Sequence, residues 1–137
     1  MSALVASDEA RVPIDCDVAI VDARQQGRTM ALSIGFSPGS ATLVATAISE
    51  LARNILLYAH RGEIVLQPVQ RGGRRGLAVI GRDQGPGIAD LERAMEDGYS
   101  TSGRLGLGLP GVRRLMDEFE ISSRPGEGTI VKAVKWK

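Results

Sequence analysis

The chain has 137 residues and a net charge of +1, so one domain with one core is expected and nucleic acid is not expected as the main partner. Apolar residues make up 43%, enough for a core of Val, Ile, Leu and Ala, because aromatics supply only 4%. A single cysteine, Cys16, excludes an internal disulfide and fits a reduced, cytoplasmic setting, and no apolar run approaches the ~20 residues that span a bilayer.

Residues 1–10 read as a flexible tail without the basic start and long apolar centre of a signal peptide, leaving 11–137 as the domain. Arg11 to Cys16 alternates polar and apolar, which predicts a short strand, and Pro13 assigns it to a sheet edge. Residues 17–34 have helical spacing, with Val18, Val21, Ala23, Met30, Leu32 and Ile34 as the apolar set and Asp15 or Asp17 as the cap. Gly27 weakens that helix by ~1 kcal/mol relative to Ala. After a loop at 36–40, Ser40 caps a strong helix from Ala41 to about His60, which Gly62 ends. Residues 63–83 read as a hairpin turning at 71–75. A short helix at 90–97 and a glycine-rich loop at 98–108 follow. Pro110 then opens a helix to about Asp117, and strands at 119–123 and 129–136 flank a turn. Strands and helices segregated in this way predict an α+β two-layer sandwich, a mixed sheet with helices on one face.

Four places carry chemistry. Asn54 falls within or at the edge of the apolar arc of its helix, with Glu50 one turn earlier, and a polar group there must find a partner. That partner is either a neighbouring backbone group or a ligand, since a carboxamide oxygen suits Mg²⁺. Asp83 enters a turn in Asp83-Gln84-Gly85-Pro86-Gly87, where it is a plain turn aspartate or an acceptor for a base whose approach Gly85 and Gly87 permit. Residues 98–108 hold Ser100, Thr101, Gly103, Arg104, Gly106 and Gly108. Such a segment is either a linker or a lid whose free N–H groups cradle phosphates beside a helix N-terminus. Arg104 either touches a phosphate or is solvated. Thr129 follows Gly128 and is either a pocket residue near Asp83 or an ordinary β-branched strand residue. No Gly-x-x-x-x-Gly-Lys-Ser/Thr occurs, so any phosphate site is not a P-loop.

Taken in this order, Glu50-Leu51-Ala52-Arg53-Asn54, Asp83 to Gly87, Gly103 to Gly108 and Gly128-Thr129 resemble the N, G1, G2 and G3 boxes of the GHKL ATPases, whose members include gyrase, Hsp90, histidine kinases and MutL. Residues 45–54 and 95–119 are similar to RsbT-type serine/threonine kinases, and the likeness extends over about 12–136. It implies the Bergerat fold, ATP as cofactor, Mg²⁺ held by Asn54, and Glu50 as the base or water-orienter. It also implies that Asp83 binds adenine, with Gly85, Gly87, Ser100, Thr101, Gly103, Arg104, Gly106, Gly108 and Thr129 completing the nucleotide site. Arg104 stands where a small residue is expected in close relatives. The family phosphorylates a STAS-domain protein and, once released, binds and activates a PP2C-type phosphatase in stress and sigma-factor regulation. Two other readings stay open: an anti-sigma factor with kinase activity that binds a sigma subunit, and a nucleotide-sensing module with little turnover. A histidine kinase is disfavoured because the chain has no room for a phosphoacceptor helix pair.

Overall fold

A computed structural model describes residues 9–86 and 108–137. Among them the element order is β1 (Ala10–Ile14), α1 (Asp17–Ile34), α2 (Pro38–Ala59), β2 (Gly62–Arg71), β3 (Arg74–Asp83), α3 (Gly108–Leu115), β4 (Glu118–Arg124) and β5 (Gly128–Trp136). The strands form one sheet in the order β1-β2-β3-β5-β4, and the helices cover one face. The expected helix at 90–97 lies outside the described residues.

The α+β architecture is as expected, but every ladder is antiparallel, so the sheet is not mixed at the level of pairing. The connections explain this. Two helices, not one, join β1 to β2, and the extra pass reverses the entering strand. β3 and β4 run in the same direction, but β5 lies between them and pairs antiparallel with both.

α1 has the predicted extent, and its buried face keeps Ala23 and Ile34 of the expected apolar set, with Met30 partly buried, but not Val18, Val21 or Leu32. Ile20, Ala23, Gly27, Ala31 and Ile34 turn inward, whereas Val18, Val21 and Leu32 are 75%, 41% and 38% exposed. The inward arc carries Ala23, Gly27 and Ala31 between Ile20 and Ile34, so α2 can approach closely at its middle. A Cβ at Gly27 would overlap the Ile48 Cδ1 of α2, so glycine lets the two helices close on each other there. Cys16, rather than Asp15 or Asp17, occupies the N-cap and makes no side-chain cap bond. Gly35, at φ +111°, ends the helix, its N–H bonded to the carbonyls of Ala31 and Leu32.

α2 starts earlier than expected. Ser37, not Ser40, is the N-cap, and its Oγ accepts from the Ser40 N–H at 3.1 Å, with Pro38 in the first turn. His60, at φ +69°, is the C-cap, and Gly62 belongs to β2, where a Cβ would overlap the Arg82 carbonyl. The β2–β3 hairpin turns on Gly72 and Gly73, at φ +56° and +83°, values that suit a two-residue turn. β1 is an edge strand, as Pro13 implied, and α3 starts at Gly108, two residues before Pro110.

At the β3 start, Trp136 packs over Gly76. Its Nε1 donates to Glu118 at 2.7 Å, Arg71 donates to the same carboxylate at 2.8 Å, and the Arg71 guanidinium lies 4.8 Å from the ring centre. The Trp136 and Arg71 hydrogen bonds hold the Glu118 carboxyl below its ordinary pKa. This cluster ties β2, β3, β4 and β5 together at the end of the sheet opposite Asp83.

The Gly27–Ile48 approach yields a stability prediction. Gly27→Leu lowers the unfolding free energy by about 1–3 kcal/mol through overpacking. The effect is read as a lower urea midpoint at unchanged slope.

Candidate functional site

The sheet end where β3 stops and β5 begins holds a small cavity lined by Leu51, Asn54, Ile55, Tyr58, Gly81, Asp83, Leu109, Thr129 and Val131. Three residues singled out in the sequence, Asn54, Asp83 and Thr129, line this one cavity. They come from α2, β3 and β5.

Each is positioned by backbone pairing or helix phase. Asn54 is half-buried on α2 between the buried Leu51 and Ile55, so its carboxamide sits at the border of the apolar face. Asp83 is the last residue of β3 and pairs directly with Thr129 across the ladder. Its Oδ1 accepts from the Gly85 N–H at 2.9 Å, a local turn that leaves its second carboxylate oxygen for another donor. A Cβ at Gly85 would meet the Ala59 Cβ at 2.5 Å, so glycine lets the turn lie against the end of α2. Gly128, at φ +88°, is needed for the same reason, because a Cβ there would strike the Asp83 carbonyl. The two turns at this end are joined by the Gly126 N–H, which donates to the Pro86 carbonyl at 2.6 Å.

Glu50 lies one turn before Asn54 and is coordinated by two groups. Its Oε2 accepts from Arg53 Nη1 at 2.5 Å, and its Oε1 accepts from the Gly108 N–H, the first of α3, at 3.2 Å. The base candidate on α2 and the start of α3 are thereby in direct contact. Gly87, Ser100, Thr101, Gly103, Arg104 and Gly106 lie outside the described residues, as does most of the 98–108 loop.

Several residues at the site carry no signal in the sequence reading. Ser123 on β4 shares a 2.7 Å hydrogen bond with the Thr129 hydroxyl and donates to the Gly128 carbonyl at 3.1 Å. Its place follows from strand register, since Ser123 pairs with Thr129 across the β4–β5 turn. Leu109 enters the cavity from α3. Arg53 reads as an ordinary helix-surface arginine, yet it holds Glu50.

The histidine kinase-like ATPase domain family matches residues 12–135. The Bacillus subtilis serine/threonine-protein kinase RsbT is 53% identical over 130 residues, which is 95% of this chain and 98% of that protein. The chain belongs to the histidine kinase-like ATPases, in the branch of the RsbT-type serine/threonine kinases. An anti-sigma F factor of Thermoanaerobacter sp. strain X514 is 33% identical over 99 residues, 68% of each chain. The crystal structure of the RsbU and RsbW domains of a Mycobacterium tuberculosis protein superposes with a TM-score of 0.62 at 20% identity. It aligns with 94% of this chain and 33% of that one, a likeness of fold alone. ATP use follows from the family. No helix among the described residues is long and apolar enough to cross a membrane.

The Gly128 backbone supplies a prediction for the RsbT-type site. Gly128→Ala combines a left-handed φ with a backbone collision, so it lowers stability by about 1–3 kcal/mol. Gly126→Ala, also at positive φ but with open space around its Cβ position, costs less. Urea unfolding of the two variants side by side measures the difference.

Proposed function

We propose that the chain transfers the γ-phosphoryl group of ATP to a serine or threonine of a STAS-domain protein. Once released from that substrate, it binds and activates a PP2C-type phosphatase, so that phosphorylation switches its partner in stress and sigma-factor regulation. The observation that carries the reading is the one cavity lined by Asn54, Asp83 and Thr129, with Glu50 one turn away on the same helix as Asn54. The full-length similarity to a serine/threonine-protein kinase supports it over an anti-sigma factor role, for which the similarity covers a smaller part of the chain at lower identity. ATP as donor sets the reaction in the cytoplasm.

In this reading Asp83 accepts a hydrogen bond from the adenine amino group through the oxygen not used by Gly85, and Thr129 supports that edge of the base. Glu50 receives or orients the proton of the substrate hydroxyl. Gly85 and Gly87 are assigned to the approach of the base, and Ser100, Thr101, Gly103, Arg104, Gly106 and Gly108 to the phosphates. The donor set suits Mg²⁺: Asn54 offers a hard oxygen, and phosphate oxygens and water would supply the remaining ligands. When bound, the ion neutralises phosphate charge. The protein's part is positioning, because phosphoryl transfer needs little covalent help from side chains.

Asp83→Asn replaces an acceptor with an amide and costs about 1–3 kcal/mol of ATP affinity. Glu50→Gln keeps nucleotide binding and loses transfer on the order of 10²-fold or more. A labelled ATP analogue and phosphorylation of a purified STAS-domain protein read the two effects. Wild-type affinity in the first variant and wild-type transfer in the second would together remove this site from the reaction.

The partner switch has its own test. A standard interface of ~800 Å² per partner takes a large share of the surface around one site in a domain this small, so the two partners compete. An added STAS-domain protein displaces a bound PP2C-type phosphatase in a competition pull-down. Simultaneous binding of both leaves a kinase without a switch, and capture of a sigma subunit instead of the phosphatase favours the anti-sigma reading.

A further inference from the structure

Arg53 and Glu50 form an (i, i+3) pair on α2, a spacing that on an exposed helix contributes only tenths of a kcal/mol. This pair is set apart by burial and by a third partner. The Glu50 side chain is only 13% exposed, Arg53 is 32% exposed, and the remaining Glu50 oxygen reaches across to the first N–H of α3. A carboxylate so withdrawn from water needs both of its oxygens satisfied, and the structure satisfies them asymmetrically. Oε2 is held by a charged guanidinium at 2.5 Å and Oε1 by a neutral amide at 3.2 Å. The charge-assisted bond is the stronger and the amide bond the more easily exchanged.

We propose that Arg53 is the positioning residue for Glu50. It anchors Oε2 so that Oε1 is aimed at the N-terminus of α3, where Glu50 serves as the anion on the Gly108 N–H until a phosphate oxygen takes that donor. The proposal rests on the kinase reading given above. The exchange frees Oε1 without moving the carboxylate, because Arg53 keeps its grip on the other oxygen. Oε1 then takes the proton from the substrate hydroxyl as its oxygen bonds to the γ-phosphorus. The bond from that phosphorus to the bridging oxygen breaks with its electron pair, and ADP leaves. The carboxylic acid formed at Glu50 later returns its proton to solvent. Asn54 lies about 40° from Glu50 around the helix and Arg53 about 60° on the other side, so the carboxylate stands between its anchor and the carboxamide without contesting either.

The test uses the full chain with Arg53→Gln, which keeps part of the aliphatic stem, and Arg53→Lys, which restores a charged donor. With Mg-ATP and a purified STAS-domain acceptor, Arg53→Gln is expected to lower kcat on the order of 10²-fold, as for a misplaced reacting group, with KM for ATP and the affinity for a labelled ATP analogue unchanged. Arg53→Lys recovers most of the loss. Amide hydrogen exchange at Gly108, measured by NMR on protein alone, is several-fold faster in Arg53→Gln than in wild type and near wild type in Arg53→Lys. Unchanged kcat, or a lysine variant no better than glutamine, would overturn the proposal, and so would Gly108 exchange indifferent to Arg53. The exchange measurement needs no nucleotide. If the wild type neither binds ATP nor phosphorylates the acceptor, the kinase reading fails, while the exchange result still decides whether Arg53 positions Glu50 against α3.

Discussion

The seat of Ile48 over Gly27 is the contact on which the rest of the molecule depends. Burying an isoleucine side chain contributes about 1.5–3 kcal/mol, and Ile48 is fully buried at the point where α1 has no side chain to hold α2 away. The rotation of α2 about its axis is set there. Glu50 and Asn54 lie two and six residues further along the same helix, so their placement beside β3 and α3 follows from it. A rotation of α2 by one residue, about 100°, would carry Asn54 off the cavity wall and Glu50 away from Gly108. The small residues of α1, Ala23, Gly27 and Ala31, are therefore functional parts of the molecule although none of them borders the cavity.

What was legible in the sequence follows the distance over which each feature is decided. The hairpin, the edge strand and the two long helices rest on local signals: a two-glycine turn, Pro13, and apolar residues at helical spacing. The caps were displaced because competing residues stood within three positions of one another, Ser37 beside Ser40 and His60 beside Gly62, and only the path of the chain chooses between them. The buried face of α1 differs from the expected one for a tertiary reason: the arc that carries Gly27 and Ala31 permits the closer approach of α2, which leaves Val18, Val21 and Leu32 outside. The antiparallel pairing throughout depends on β5 entering between β3 and β4, which no local pattern announces.

The site was readable as residue types and not as a network. Asn54 stands out at the border of an apolar helix face, Asp83 at the entry to a glycine turn and Thr129 after a turn glycine, and the fold lines one cavity with all three. Ser123 and Arg53 do not stand out, since a strand serine and a helix arginine are ordinary at the surface. Their roles come from what they touch: Ser123 fixes the Thr129 hydroxyl and Arg53 fixes Glu50. Groups that act through a second group leave little trace in composition or spacing, so coordinates reveal them first.

The pairing of Asp83 with Thr129 has a consequence for how the protein comes into being. During synthesis α1, α2 and the β2–β3 hairpin are in hand well before β5, and they bring Asn54 and Asp83 near each other with one wall of the cavity still open. The missing wall arrives with β5, which adds to the free edge of β3 and carries β4 as the new edge strand. Pairing of β3 with a strand about fifty residues later is a long-range step that tends to be slow. A chain in which β5 has not yet paired therefore holds an incomplete cavity, without the side that Thr129 and Val131 supply.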